Sequence, residues 1–541
     1  MKVGEAIAAI LRAEGVEVLF AYPVNHLIEF AAARDIRPVI VRQERVGLHM
    51  ADALSRLSSG RRIGVFCMQH GPGSENAFGG VAQAYAESVP ILVIPQGYPR
   101  RLAGIDPNFS SAREMRGIAK ATEWVGLASE VPAAFRRAFA RLRNGRGGPV
   151  VVEIPADLWQ EEVPAFDYRP PPALRTAPDP QDAARLARLI LAAERPLIYA
   201  GTGVHWAGAW NELRAFAERL AAPVATSLGG KSAFPEDHPL ALGAGAVSTP
   251  LPLAAMLARA DLVIGIGCSF TETSFGIKFP PGKRYLQITL DPAHLAKDLA
   301  IEDGMLGDAK LCLQALLAEI EAARPAPRDP APIAAEIAAF GARFLDEWGP
   351  ILRSDEVPLT PYRVIWELSR LVDPDEVIIT HDAGSPRDQL VPFWKATRPL
   401  SYLGWGKTTQ LGYGLGLAMG AKLAHPEKLC INVWGDAAIG FTGLDLETAV
   451  RERIPVLSIL FNNFSMAIEL KVMPISTAKY RATDISGDYA AMARALGAHG
   501  ERVLAPEAIR PALERGIAAV RAGQPALLEF ITAKETRIPR P

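Results

Sequence analysis

Short apolar runs without polar alternation recur along this chain: Ile63–Cys67, Ile91–Pro95, Val150–Ile154, Leu197–Ala200, Leu262–Gly267, Tyr285–Leu290, Val377–Thr380, Leu429–Trp434, Val456–Phe461 and Ala526–Ile531. Ala-rich stretches of helical period separate them. A strand with one wet face alternates polar and apolar residues, whereas a strand covered on both faces does not. Strands of the second kind, joined by helices, form parallel sheets with helices on both sides, an α/β architecture.

Two Pro-rich seams interrupt the pattern, "DYRPPPALRTAPDP" at Asp167–Pro180 and "ARPAPRDPAP" at Ala323–Pro332. Such composition suits extended, semi-rigid linkers. A chain of 541 residues is too long for one core and suits about three domains. The seams place these at residues 1–166, 181–322 and 356–541, each expected to be a doubly wound parallel sheet.

A net charge of −1 lacks the basic excess of a nucleic-acid-binding surface, so no nucleic-acid partner is expected. The four cysteines, Cys67, Cys268, Cys312 and Cys430, are far apart and form no CxxC. They read as buried free thiols rather than a disulfide or zinc framework. The opening "MKVGEAIAAILRAEGV" is an amphipathic helix broken by Glu5, Arg12 and Glu14, unlike a secretory signal. No apolar run reaches the length of about eighteen residues that spans a membrane. A reduced, cytoplasmic protein without a membrane partner is expected.

The densest chemical signal is "VWGDAAIGFTGLDLETAVRERIPVLSILFNN". One apolar strand ends at Gly435-Asp436 and the next at Asn462-Asn463, so Asp436 and Asn463 can face one ion from adjacent strand ends. An acidic and an amide oxygen suit a hard cation that draws further oxygens from a phosphate. A buried turn Asp and a hydrogen-bonded Asn pair are the plainer reading. This stretch resembles the thiamin diphosphate signature of Gly-Asp-Gly, a spacer and Asn-Asn, with Ala437 in place of the last Gly. With three α/β segments, the chain resembles, nearly end to end, the thiamin diphosphate-dependent decarboxylase and acetolactate synthase-like superfamily. Within it the chain resembles a benzaldehyde lyase-like or an acetolactate synthase-like carboligase.

The resemblance implies a pyrimidine-binding first domain, a central domain, and a diphosphate-binding third domain. "VIVRQERVGLHMADALSR" resembles the family's "HEQGAGHMAEGYAR" and gives Glu44 the role of the carboxylate on the aminopyrimidine ring, which starts the chemistry. A helix N-terminal Glu is the alternative for that residue. By the same resemblance Pro23 would border the cofactor. Leu411 would prop it into a V, the Thr409 carbonyl would accept from its amine, and Gly384 and Ser385 in "HDAGS" would meet the diphosphate. Ala437 and Ala438 would lie beside it. Asp436, Asn463 and the Ser465 carbonyl would hold Mg²⁺. A methyl at a turn needing positive φ is unfavourable by roughly 1 kcal/mol, so φ at Ala437 is expected to be negative.

Substrate handling is less typical. In "FAYPVNHLIEF", His26 matches an active-site His of benzaldehyde lyase-like enzymes, and Asn25 falls where pyruvate decarboxylases use Asp. Gln69-His70 in "MQHGPGSEN" stands where acetolactate synthases read "TSGPGATN". Both imidazoles suit proton shuttling, or else hydrogen-bond within their loops. Glu469 has the spacing of a working decarboxylase Glu, or is a surface helix residue. Gly201, Gly203, Gly265 and Gly267 suggest a nucleotide cleft in the middle segment. FAD remains possible there, though the pattern disfavours it.

The resemblance implies a thiamin diphosphate- and Mg²⁺-dependent decarboxylase or carboligase acting on a 2-oxo acid or aldehyde. The alternatives are an acyloin or 2-hydroxyacyl-CoA lyase without decarboxylation, and a non-catalytic paralogue. It also implies a homodimer or homotetramer with active sites at the dimer interface.

Overall fold

The computed structural model describes residues 1–323 and 325–540. Among them are three parallel sheets, each of six strands. The first holds β1 (Val18–Ala21), β2 (Arg37–Ile40), β3 (Gly64–Met68), β4 (Ile91–Gly97), β5 (Ala121–Trp124) and β6 (Val150–Pro155). The second holds β7 (Pro196–Ala200), β8 (Val224–Ser227), β9 (Ala241–Gly245), β10 (Leu262–Ile266), β11 (Arg284–Thr289) and β12 (Asp303–Leu306). The third holds β13 (Val377–His381), β14 (Tyr402–Leu403), β15 (Leu429–Gly435), β16 (Leu457–Asn462), β17 (His499–Val503) and β18 (Ala526–Ile531).

The first sheet runs β2-β1-β3-β4-β6-β5 and the third β14-β13-β15-β16-β18-β17, the same order within each segment. The middle sheet, β12-β11-β10-β7-β8-β9, has the dinucleotide-fold order. Strand order therefore reverses between β1 and β3, between β7 and β10, and between β13 and β15. Open α/β sheets bind ligands at the carboxyl ends of strands flanking such a reversal.

The first and third segments share a core. The helix Glu44–Leu57 packs along the helix Tyr413–Ala424, and Val46, Leu48 and Met50 join Leu415, Leu417 and Trp434 in one apolar cluster. Glycine makes this approach possible. A Cβ at Gly416 would lie 2.4 Å from His49 Cβ, and one at Gly420 would lie 2.5 Å from the Met50 carbonyl oxygen. Arg56 crosses the same seam. It pairs with buried Asp52 at 2.6 Å and donates to the Gly404 carbonyl at 2.9 Å and to the Tyr413 hydroxyl at 3.2 Å. These extra acceptors offset the desolvation of a buried guanidinium.

The second seam is shorter than its composition suggests. Ala331 and Pro332 already open a 22-residue helix, Ala331–Leu352. Its Ile337 and Phe340 pack on the middle segment, while Trp348 and Leu352 cluster with Tyr362 of the third. Proline at a first helical turn is tolerated because its missing N–H has no partner there anyway. All four cysteines are buried and free. Among the described residues no helix is long and apolar enough to cross a membrane.

Candidate active site

The expected residues gather in two groups. The first lies at the carboxyl ends of β2, β1, β3 and β4, neighbours in that order. Glu44 opens the helix after β2, where the Gln43 side chain caps by accepting from Arg45 N. It is buried, and burial raises its pKa above the usual carboxylate value. Its own backbone N–H and the Asn76 side chain partly offset that shift.

Asn25 and His26 follow β1. Asn25 is buried, donates to the Met68 carbonyl at 2.8 Å and the Ile94 carbonyl at 3.1 Å, and accepts from Leu27 N at 3.0 Å. Its amide thus ties the β1 loop to β3 and β4. His26 is exposed, and its backbone N–H points at buried Gln96 Oε1, 3.4 Å away. Gln69 and His70, both half-buried, follow β3. The His70 ring lies 4.3 Å from the Tyr98 ring. Its Nδ1 is buried without a partner among the described residues, and burial lowers its pKa.

The second group lines a cleft of about 560 Å³ at the carboxyl ends of β13, β15 and β16. Gly384, Ser385, Thr409, Leu411, Asp436, Ala437, Ala438, Asn463, Ser465 and Glu469 all border it. That volume falls in the range of roughly 300–1,000 Å³ typical of small-molecule sites. Asp436 is buried. Its Oδ1 accepts from Ala437 N at 2.9 Å, and its Oδ2 from Asn463 N at 3.1 Å and Ser465 N at 3.2 Å. Burial raises its pKa, and these backbone donors oppose the rise. Ala437 sits in the helix Asp436–Thr442 and is not among the residues with positive φ, as expected for a residue carrying a methyl there.

The two asparagines divide their work. Asn462 donates to Glu529 Oε1 at 2.7 Å and accepts from Phe464 N at 3.0 Å. Asn463 Oδ1 and Ser465 Oγ are buried without partners among the described residues. A carboxylate beside an unpaired amide oxygen fits a hard divalent cation. An unpaired buried acceptor is otherwise unfavourable by about 1–3 kcal/mol.

Sequence reasoning misses Asp382. It is buried at the end of β13, where its carboxylate accepts from Ala383 N at 2.8 Å, Gly412 N at 2.9 Å and Gly414 N at 3.0 Å. It clamps the start of the helix Tyr413–Ala424 against the cleft, and burial raises its pKa to about 6. The only signal is an acid at a strand end before Ala-Gly. Asn25, His26, Glu44, Gln69, His70 and Pro23 do not border this cleft. The two groups therefore lie apart within one chain.

Three family models match the chain: the N-terminal thiamin pyrophosphate-binding domain over residues 1–121, the central domain over 183–316 and the C-terminal thiamin pyrophosphate-binding domain over 382–530. Over its whole length the chain is 30% identical to a probable acetolactate synthase large subunit of Methanocaldococcus jannaschii, covering 93% of that protein. The chain belongs to the thiamin diphosphate enzyme family. It is 29% identical to a probable acetolactate synthase large subunit of Methanococcus aeolicus, over 98% of this chain and 92% of that one. It is also 29% identical to the acetolactate synthase isozyme 3 large subunit of Escherichia coli, over 85% and 82%. It is thus a thiamin diphosphate-dependent, acetolactate synthase-like enzyme.

In this family member the middle-segment glycines serve close packing at the β7/β10 reversal. Gly203 N donates to the Gly267 carbonyl at 2.8 Å, and a Cβ at Gly203 would lie 2.6 Å from Gly267 Cα. Both also border a cleft with Arg146, His294 and Lys407. Burial lowers the Lys407 pKa to about 8.

Proposed function

We propose that this enzyme is a thiamin diphosphate- and Mg²⁺-dependent decarboxylase and carboligase acting on 2-oxo acids. The observation that carries the metal and diphosphate half is the pairing of Asp436 with the unpartnered Asn463 Oδ1 in the β15/β16 cleft. When bound, thiamin diphosphate supplies a carbon nucleophile that adds to a carbonyl and holds the electron pair released as CO₂ departs. Asp436, Asn463 and the Ser465 carbonyl would hold Mg²⁺, with Gly384 and Ser385 at the diphosphate. Thr409 and Leu411 would hold the cofactor's bend, with Ala437, Ala438 and Pro23 beside it.

Glu44 shares a proton with the aminopyrimidine, a role its raised pKa suits. His70, kept neutral by burial, takes or returns a proton at a substrate oxygen, and His26 serves the same face of the first sheet. Asn25 positions His26, because its own amide is committed to main-chain partners. Gln69 offers its amide beside His70. Glu469 borders the second half-site and serves proton transfer to product. Decarboxylation and carboligation are redox-neutral overall, so a flavin in the middle segment would transfer no electrons in the net reaction.

The separation of the half-sites supports a homodimer, or a tetramer of paired dimers, in which Glu44 of one chain completes the cleft of another. Exposed apolar side chains accompany both half-sites: Val24 and Phe78 near the first, Met466, Ile468 and Val472 at the second. Contiguous exposed apolar surface marks interaction sites.

The test is CO₂ release from a panel of 2-oxo acids with thiamin diphosphate and Mg²⁺, with acyloin or acetolactate products identified by mass spectrometry. Cofactor binding without CO₂ release, together with cleavage of acyloins or 2-hydroxyacyl-CoA, would replace this reading with a lyase. Light scattering that finds a fully active monomer would overturn the assembly.

A further inference from the structure

The cleft that holds Asp436 is also lined by Arg387, Phe275, Gln389 and Thr532, groups that the proposed mechanism leaves unused. Arg387 lies on the helix Ser385–Leu390 and is 2% exposed. Its Nε and Nη2 donate to Asp388 at 2.8 and 3.0 Å, and its guanidinium carbon lies 5.1 Å from the Phe275 ring centroid. Nη1 is buried without a partner among the described residues, as are Gln389 Oε1 and Thr532 Oγ1. The middle segment thus contributes an aromatic wall to the cleft, and the third an unpartnered guanidinium nitrogen and a hydroxyl.

A guanidinium with one edge fixed is pre-organised to bind an oxyanion with the rest. Asp388 neutralises the charge of Arg387, so the pair suits a single carboxylate rather than a polyanion. Exposed Arg540 at the cleft border adds a positive charge that draws it in. The carboxylate that departs as CO₂ is a poor match. Fixed donors on it would stabilise the substrate more than the transition state, in which its charge is leaving.

We propose that Arg387 recognises a carboxylate that is retained through the reaction, either the second carboxylate of a dicarboxylic 2-oxo acid or that of a 2-oxo acid acceptor. This rests on the 2-oxo acid reading and narrows its substrate class.

The experiment uses the Mg²⁺- and cofactor-loaded enzyme and glutarate, a dicarboxylate with no carbonyl to react. Calorimetry should show glutarate binding weakened at least about tenfold in R387Q, with thiamin diphosphate affinity of the apo enzyme unchanged. Because R387Q leaves Asp388 buried without its partner, R387Q/D388N, which removes both charges, is measured alongside and should show the same loss. Turnover of 2-oxoglutarate alone, against pyruvate alone or pyruvate with a second 2-oxo acid, then distinguishes donor from acceptor, by which KM rises in the variants. Unchanged glutarate binding in both variants overturns the proposal. So does a loss of thiamin diphosphate affinity, which would assign Nη1 to the diphosphate. Arg387-dependent glutarate binding without CO₂ release from any 2-oxo acid would support the anion site and sink the 2-oxo acid reading instead.

Discussion

Asn463 donates its backbone N–H to Asp436 Oδ2 at 3.1 Å, while its own side-chain Oδ1 is buried without a partner among the described residues. One residue thus fixes the carboxylate and offers a second oxygen beside it. D436A should abolish Mg²⁺-supported binding of thiamin diphosphate, and N463A should weaken it on the order of 10–100-fold. Circular dichroism should show both folded. Calorimetry with and without chelator checks this, and equal cofactor affinity in the variants would remove the pair from the metal site.

Glu44 is buried at a helix start with a raised pKa. E44Q keeps the shape and removes the proton acceptor. Exchange of the cofactor's C2 proton should slow by about 10²–10⁴-fold, read by NMR after acid quench in deuterated buffer. Thiamin diphosphate affinity should change far less. An unaltered exchange rate would leave Glu44 as an acid at a helix N-terminus only.

The sequence discloses interior strands better than edges. Each apolar run singled out falls on β3, β4, β6, β7, β10, β11, β13, β15, β16 or β18, and all ten have neighbours on both sides. Of the six edge strands, β5, β12, β14 and β17 are short or carry polar residues, as in "ATEW" and "HGERV", because one side pairs with nothing. Their signal is therefore weak. The identical strand order of the first and third sheets is likewise invisible in the residues, since topology is fixed by crossovers rather than by composition.

At the site, residues placed by one strand end are legible, and those defined by distant partners are not. Asp436, Asn463 and Ser465 stand together because β15 and β16 are adjacent. Asp382 acquires its meaning from the amides of Gly412 and Gly414, well downstream. Asn25 looks reactive in sequence, yet the carbonyls of Met68 and Ile94 occupy its amide. No spacing reveals that Glu44 stands away from the cleft that Asp436 lines.

His26 and His70 follow β1 and β3, the strands flanking the reversal in the first sheet. H26A and H70A should lower kcat while leaving cofactor affinity and C2 exchange intact. Burial holds the His70 pKa below its ordinary value, so the imidazole is neutral near pH 7 and protonates only on the acid side. H70A should therefore erase an acid limb of the kcat profile. Stopped-assay pH–rate curves decide it; unchanged rate and profile would reduce both imidazoles to loop scaffolding.

Asp445 ties the first segment to the third. Its Oδ1 accepts from Arg42 N at 2.9 Å and from Thr448 Oγ1 at 2.8 Å, and its Oδ2 is buried without a partner among the described residues. Burial raises its pKa from 3.8 to about 6, against the pull of those donors. The folded value exceeds the unfolded one, so the fold favours the protonated acid. That contribution is fully present below about pH 4 and is lost as pH rises through about 6, a penalty of about 3 kcal/mol at most. D445N retains an acceptor oxygen for Arg42 N and Thr448 and cannot ionise. Its urea midpoint should match the wild type near pH 4 and exceed it at pH 7. Because Arg42 lies two residues before Glu44, the same substitution tests whether this junction also holds the first half-site in place. Midpoints that stay parallel across the range would mean that Asp445 ionises freely in the folded enzyme.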